Sequence, residues 1–311
     1  MTKPDNEVAK HYDASAESYH VQYERDLISS LDVEYPANFF RLHLLLNSFI
    51  ENDVKRVVEI GVGEGTPLVN LAKTGMDVAG CDISTDMVAH CKRNFHKNAL
   101  KSEKIIWADI QDPTSYTPLM TDGKFDALLA MGVMPHVRND EFVLNNMKHF
   151  VKDGGKVFIE FRNKLFSLFT FNRHTYNFIM DDLLANVSPS LKNIVANDLK
   201  KRVDLNLPAE RLVGGSSAPK SATVDSDAPG FDAILSKFHN PLEMKYLFGS
   251  LGFTDIRLLW YHYHPAMPHL EKEDEALFRE EGLNLEHEMS GWRGLFLCSA
   301  FVVEATKKPK G

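Results

Sequence analysis

From residue 55 onward, short apolar runs alternate with segments in which apolar residues recur every three or four positions. The pattern predicts strand 56–60, helix 66–74, strand 77–82, helix 84–97, strands 104–109 and 125–131, helix 140–150 and strand 155–161. Short strands separated by amphipathic helices build a parallel sheet covered on both faces, with right-handed crossovers. Residues 1–50 read as helical. Tyr12, Tyr19 and Tyr23 recur there at helix-like intervals, and Phe39, Leu42, Leu45, Leu46 and Phe49 make one apolar stripe over 36–50.

After Phe161 the alternation stops until residue 240. A phenylalanine-rich segment becomes helix-like from His174, a second helix is expected over 189–203, and residues 214–230 are a Gly/Ser/Pro linker. An insertion of that length is a candidate substrate cap. Its residues Phe166, Phe169, Phe171, Tyr176 and Phe178 either line an acceptor pocket or form the cap's own small core. The regular pattern resumes with helix 241–250 and strand 254–264, followed by a loop rich in Pro and acidic residues (265–293) and a last strand over 294–305. Four parts are therefore expected: an N-terminal helical lid segment (1–50), an α/β core (51–161), a helical cap with its linker (162–239) and a return to the core sheet (240–311).

Within the core the run Glu59-Ile60-Gly61-Val62-Gly63-Glu64-Gly65 joins a strand to a helix. Three glycines in five residues let the backbone take positive φ and bring bare N–H groups against a ligand. The helix that follows has a positive dipole end suited to a carboxylate or phosphate. A dinucleotide fingerprint sets its third glycine five positions after its first, and here Gly65 comes four after Gly61. Asp82 closes the next strand, where an acidic residue can hold a ribose hydroxyl. A nucleoside with a carboxylate tail satisfies both features.

These residues resemble the class I S-adenosylmethionine-dependent methyltransferases. The family's first motif is an acidic residue followed by G-x-G-x-G, matched by Glu59, Gly61, Gly63 and Gly65; its second acidic position is matched by Asp82. An aspartate after strand three, near the adenine, is matched by Asp109, and the strand-four motif by the run from Phe125. The resemblance covers residues 50–161 well and 240–305 more loosely. It implies a Rossmann-like α/β fold with a seven-stranded, mostly parallel sheet, whose last strand runs antiparallel between strands five and six. It also implies S-adenosylmethionine as methyl donor, held by Tyr12, Tyr19, Glu59, Gly61, Gly63, Gly65, Asp82, Ile83, Asp109, Ile110, Met131 and Gly132. The H-Y-D-x-x-A-x-x-Y pattern is similar to the segment that folds over the donor in many small-molecule members.

The rest of the sequence narrows the acceptor. The 311 residues are 44% hydrophobic and 25% charged, an ordinary globular composition, and the net charge is −8. An acidic chain is poorly suited to neutralising a phosphate backbone, so no nucleic acid is expected as partner. The DNA amino-methyltransferase motif Asp/Asn-Pro-Pro-aromatic is also absent, with Gly132-Val133-Met134-Pro135 in its place. Cys81, Cys91 and Cys298 are too few and too scattered for a disulfide scaffold. No secretory signal opens the sequence, and residues 39–50 are too short to span a bilayer, so the compartment expected is cytoplasmic, without a membrane partner.

Methyl transfer is an in-line displacement in which holding nucleophile, methyl and sulfur collinear does most of the work. A base is needed when the acceptor is a hydroxyl. His136, just past strand four, and His262 and His264, on one face of strand six, are the candidate catalytic residues. With His239 and His269 they do not make a strong metal pattern, and no metal is expected. Glu160 and Arg162 can pair with each other or with a polar acceptor. The reading is thus O-methylation of a small molecule with a histidine base. The alternatives are N-methylation, a non-catalytic donor-binding protein and a nicotinamide-dependent dehydrogenase, which the glycine spacing disfavours. A homodimer is left open.

Overall fold

The computed structural model describes residues 6–23, 37–205 and 235–309. The chain begins with helices α1 (Glu7–Tyr23) and α2 (Ala37–Glu51), then strand β1 (Arg56–Ile60), α3 (Thr66–Lys73), β2 (Asp77–Asp82), α4 (Thr85–Lys97), β3 (Ile105–Trp107), α5 (Pro113–Tyr116), β4 (Phe125–Ala130), α6 (Asp140–Phe150) and β5 (Val151–Arg162). Short helices α7 (Ser167–Thr170) and α8 (Arg173–Asn177), a π-turn (Phe178–Leu183) and α9 (Pro189–Leu199) follow. The chain ends with α10 (Met244–Ser250), β6 (Phe253–Tyr263), α11 (Glu275–Leu285), α12 (Gly294–Leu297) and β7 (Cys298–Lys307).

Among the described residues seven strands form one sheet, in the order β3-β2-β1-β4-β5-β7-β6. β1 lies parallel between β2 and β4, whereas β7 runs antiparallel to both β5 and β6. The order turns back at β1, so the carboxyl ends of β1, β2 and β4 open the crevice where ligands bind in such sheets. Val57, Val58, Leu128, Leu129, Phe158 and Ile159 are fully buried on the two faces. That is why these strands read as continuous apolar runs instead of alternating ones. The stripe on α2 covers one face: Leu45 and Phe49 are buried, and Phe49 meets Phe158 edge to face with ring centroids 5.2 Å apart. Each such aromatic side chain contributes roughly 1.5–3 kcal/mol on burial. No helix among the described residues is long and apolar enough to cross a membrane.

Three elements differ from expectation. The third strand is Ile105–Trp107, shorter than 104–109, because Asp109 turns the chain: its Oδ1 accepts from Gln111 N–H (2.8 Å) and its carbonyl from Ser115 Oγ (3.0 Å). The region 265–293 holds a helix, α11, where an acidic loop was expected. Asp274 caps it by accepting from Leu277 N–H (3.0 Å), and Leu285 packs on the core. The surrounding carboxylates mask that sparse apolar stripe. The last strand begins at Cys298, not at residue 294, since residues 294–297 turn as α12, where Phe296 and Leu297 N–H donate back to the Arg293 carbonyl (3.0 and 2.9 Å). The expected linker over 214–230 falls outside the described residues.

Candidate active site

β1 ends at Ile60, and the next two N–H groups, Gly61 and Val62, both donate to the Cys81 carbonyl of β2 (2.8 and 3.1 Å). The turn is thereby locked to its neighbour. Gly61, Gly63 and Gly65 have φ of 75°, 53° and 87°, a region that costs other residues roughly 1–2 kcal/mol each. The three glycines serve different purposes. A Cβ on Gly61 would lie 2.6 Å from Val133 Cγ2 and one on Gly65 2.4 Å from Cys91 Sγ, so both permit close packing. At Gly63 the Cβ position is open, and it faces a cavity of about 290 Å³ lined by the carboxyl ends of β1, β2, β4 and β5.

Asp82 ties the loop to the next wall. Its Oδ2 accepts from Gly63 N–H and its Oδ1 from Ser84 N–H, each at 2.9 Å. Burial pushes the carboxyl up to about 6, against the pull of those two amides. Ser84 caps α4, and its hydroxyl donates to Asp13 Oδ1 of α1 in a short contact. The N-terminal helix is thus fastened to the rim of the cavity. Glu59, which is 2% exposed, lines the floor, and its Oε2 has no hydrogen-bond partner among the described residues. Burial raises its carboxyl to about 8, against the pull of the Arg41 charge.

Farther along, Ile83, Asp109, Ile110 and Gln111 form one end of the cavity, and Trp107 Nε1 donates to the Ile83 carbonyl (2.7 Å). Met131 and Gly132, at φ 78°, form the side under β4. The opposite end is assembled from distant segments. Tyr12 Oη lies 3.1 Å from His136 Nε2, and His136 Nδ1 lies 2.7 Å from the Leu235 carbonyl. A carbonyl only accepts, so Nδ1 carries the proton, and Nε2 of the neutral ring accepts from the Tyr12 hydroxyl. Burial brings His136 down to about 4, the Leu235 hydrogen bond opposing, and the ring is neutral at pH 7. Beside it Arg41 of α2 pairs with Glu160 (2.9 Å), and Arg162 donates to Ser236 Oγ in a short contact.

Of the residues expected from sequence, Tyr12, Glu59, Gly61, Gly63, Asp82, Ile83, Asp109, Ile110, Met131, Gly132 and His136 line this one cavity. Gly65 faces α4 instead. The side chain of Tyr19 lies outside the described residues. His262 and His264 stand behind the cavity wall: His262 Nδ1 meets Ser299 Oγ (2.9 Å), and His264 packs on Phe166 with centroids 4.7 Å apart. Neither nitrogen of His264 has a hydrogen-bond partner among the described residues. Burial lowers the two rings to about 4 and about 3. Sequence reasoning passed over Arg41 and Leu235, and gave Asp13 no role of its own beyond its place in the H-Y-D pattern. A cation inside the apolar stripe of α2 was a usable signal for Arg41, whereas a backbone carbonyl leaves none.

The cavity suits a nucleoside carrying a charged amino-acid tail. Gly63 offers a cradle that any Cβ would fill, Glu59 an unpartnered carboxyl, and Asp82 an acceptor already aligned by two amides. A methyltransferase domain model matches residues 58–159. A ubiquinone biosynthesis O-methyltransferase of Dechloromonas aromatica is 26% identical over 168 residues, 53% of this chain and 69% of that protein. A tRNA (guanine-N(7)-)-methyltransferase of Buchnera aphidicola is 26% identical over 97 residues, 30% of this chain and 40% of that protein. Among solved structures, magnesium protoporphyrin IX methyltransferase from Synechocystis PCC 6803 with bound SAH shares the fold. Its TM-score is 0.51 at 12% identity, covering 97% of this chain and 98% of that one. The domain match covers about one third of the chain. With this sheet order and cavity, residues 58–159 are a methyltransferase domain of the S-adenosylmethionine-dependent type, a transferase whose methyl donor is S-adenosylmethionine.

Proposed function

We propose that this chain methylates a hydroxyl of a small molecule, with His136 receiving the acceptor's proton. The observation that carries this reading is the state of His136: a neutral ring facing the cavity, with Nδ1–H tied to Leu235 and Nε2 presented beside Tyr12. The relatives named as ubiquinone biosynthesis O-methyltransferases support transfer to oxygen.

When bound, the donor supplies an electrophilic methyl on a sulfonium. Glu59, Gly61 and Gly63 would hold its amino-acid end, Asp82 its ribose, and Asp109 to Gln111 its adenine. Arg41, Glu160 and Arg162 bind and orient polar groups of the acceptor, and α1 closes the cavity through Asp13 and Tyr12. As the acceptor oxygen gains its methyl, the O–H bond breaks and the proton passes to His136 Nε2, whose lone pair the Tyr12 hydroxyl gives up by turning away. His136 thereby takes up one positive charge, matching the one the donor would lose on giving up its methyl. His262 and His264 belong in this reading to the wall that supports the acceptor end.

Incubation with methyl-labelled S-adenosylmethionine and a fractionated extract of the native source should place label in a small product whose linkage is a methyl ether. His136→Ala should lower that turnover about 100-fold or more while donor affinity is retained, the usual weight of a general base. Near-normal turnover in the variant would remove His136 from the mechanism, and an N-methyl product would replace oxygen by nitrogen.

A further inference from the structure

Glu59 raises a question that methyl transfer does not answer: how a carboxyl so deeply enclosed serves a cationic ligand. It sits at the end of β1 and lines the cavity, and its Oε2 is sealed from solvent without a hydrogen-bond partner among the described residues. An ionised oxygen in that setting has neither water nor a donor to stabilise it. The charged groups that face it are engaged elsewhere. Arg41 of α2 bonds Glu160 of β5 (2.9 Å), Glu64 accepts from Thr66 N–H (2.9 Å) and Asn94 Nδ2 (3.0 Å), and Asp82 of β2 accepts from Gly63 and Ser84 N–H. The remaining titratable neighbours, the buried thiols of Cys81 and Cys91, are held protonated by burial. Burial is the main force against ionisation at Glu59; the Arg41 charge pulls the other way, and Glu64 and Asp82 add negative potential that opposes Arg41.

We propose that Glu59 is a protonated acid in the donor-free enzyme and gives up its proton to solvent when the α-ammonium of the donor settles beside it. The proposal rests on reading this cavity as the donor site. The balance is simple: the carboxyl O–H bond breaks, the proton leaves to buffer, the ammonium keeps its three protons, and the cavity gains a cation and an anion together. Donor capture is then an exchange of one positive charge for another. The buried carboxyl avoids standing ionised and alone, and the ammonium meets a full counter-charge in a water-poor site. Affinity for the donor accordingly rises with pH on the acid side of neutrality, because protons compete with it.

The test is calorimetric titration of the full chain with S-adenosylmethionine, and separately with S-adenosylhomocysteine, at pH 7 in phosphate, HEPES and Tris. The slope of observed enthalpy against buffer ionisation enthalpy counts the protons released. We expect close to one for both ligands, since both carry the ammonium, and none for Glu59→Gln. Affinity of the wild-type chain should rise by up to about tenfold from pH 6 to pH 7. Infrared difference spectra of the wild-type chain provide a readout independent of the variant's folding, the protonated-carboxyl stretch disappearing on donor addition. Binding with a slope of zero and an unchanged carboxyl band would overturn the exchange while leaving the donor site intact. Release with S-adenosylmethionine alone would overturn the pairing with the ammonium. Failure of either ligand to bind would bring down the donor reading itself, and this inference with it.

Discussion

The two ends of the cavity are built by different means. At the end proposed for the donor the groups are mostly backbone: the Gly61–Gly65 turn and the amides that grip Asp82, all within one βαβ unit. Gly63 and Asp82 are 19 residues apart in the chain. The end proposed for the acceptor is made of side chains brought together by tertiary packing. Tyr12 reaches His136 across 124 residues, Arg41 reaches Glu160 across 119, and Leu235 reaches back 99 to His136. A site written into one supersecondary unit resists drift, because its positive-φ turns admit few residues. A site assembled from five segments can be re-specified by changing any one of them.

The sharpest way to break the donor end is Gly63→Val. A valine at φ 53° is strained by roughly 1–2 kcal/mol, and its side chain would enter the open space that the donor's tail requires. Donor affinity in calorimetry should fall at least about 100-fold, equivalent to roughly 2.7 kcal/mol, while thermal unfolding shows only the smaller strain cost. Unaltered affinity would mean that the tail does not rest on this loop. At the acceptor end the matching lesion is Arg41→Ala. It leaves Glu160 in a partly buried site without its cation and should cost on the order of 3 kcal/mol in stability by denaturant unfolding, with donor affinity much less affected. Tyr12→Phe is milder. It removes one hydrogen bond from His136 Nε2, an effect of about 1 kcal/mol, and should slow turnover several-fold without altering the sheet.

This asymmetry explains what could be read from the chain. The succession of strands along the chain and the glycine turn were legible because each depends on short-range signals: apolar runs, periodicity, and glycine where φ must be positive. The place of the last strand between five and six came from the family resemblance. Eleven expected residues line the cavity for that reason, since all but Tyr12 sit at or just past the ends of predicted strands. Long-range closure leaves no comparable trace. Period two put His262 and His264 on one face of strand six. In the structure His262 takes φ 60° near the end of β6 and His264 lies past it, their ring centroids 4.9 Å apart, and which face meets the cavity depends on how β7 inserts between β5 and β6. Leu235 acts through its carbonyl, which any residue would supply. Helix α11 went unseen because its apolar positions are scattered among carboxylates, and α12 because a short apolar run carries no period.

The subtlest contrast is in pH. The donor end holds acids pushed up by burial and the acceptor side holds imidazoles pushed down, so the two respond to pH with opposite sign. Glu59 moves from its ordinary 4.5 to about 8, and between those values the folded chain binds more protons than the unfolded one. Its contribution to stability therefore falls as pH rises through that window. His264 moves from 6.5 to about 3, so the unfolded chain binds more protons between those values and stability falls as pH falls below 6.5. Glu59→Gln should accordingly gain on the wild-type melting temperature as pH goes from 5 to 8, and His264→Leu should gain as pH goes from 7 to 5. The shifts correspond to roughly 3 kcal/mol for Glu59 and roughly 2 kcal/mol for His264 over those ranges, so the gains should be several degrees, the larger in Glu59→Gln. Scanning fluorimetry of the wild type and both variants across pH 5–8 measures the two slopes. If both variants drifted in the same direction, the charge states assigned to the two ends would be wrong. If only the His264 slope vanished, that ring would be solvated in the folded chain, and the wall behind the acceptor end would be open to water.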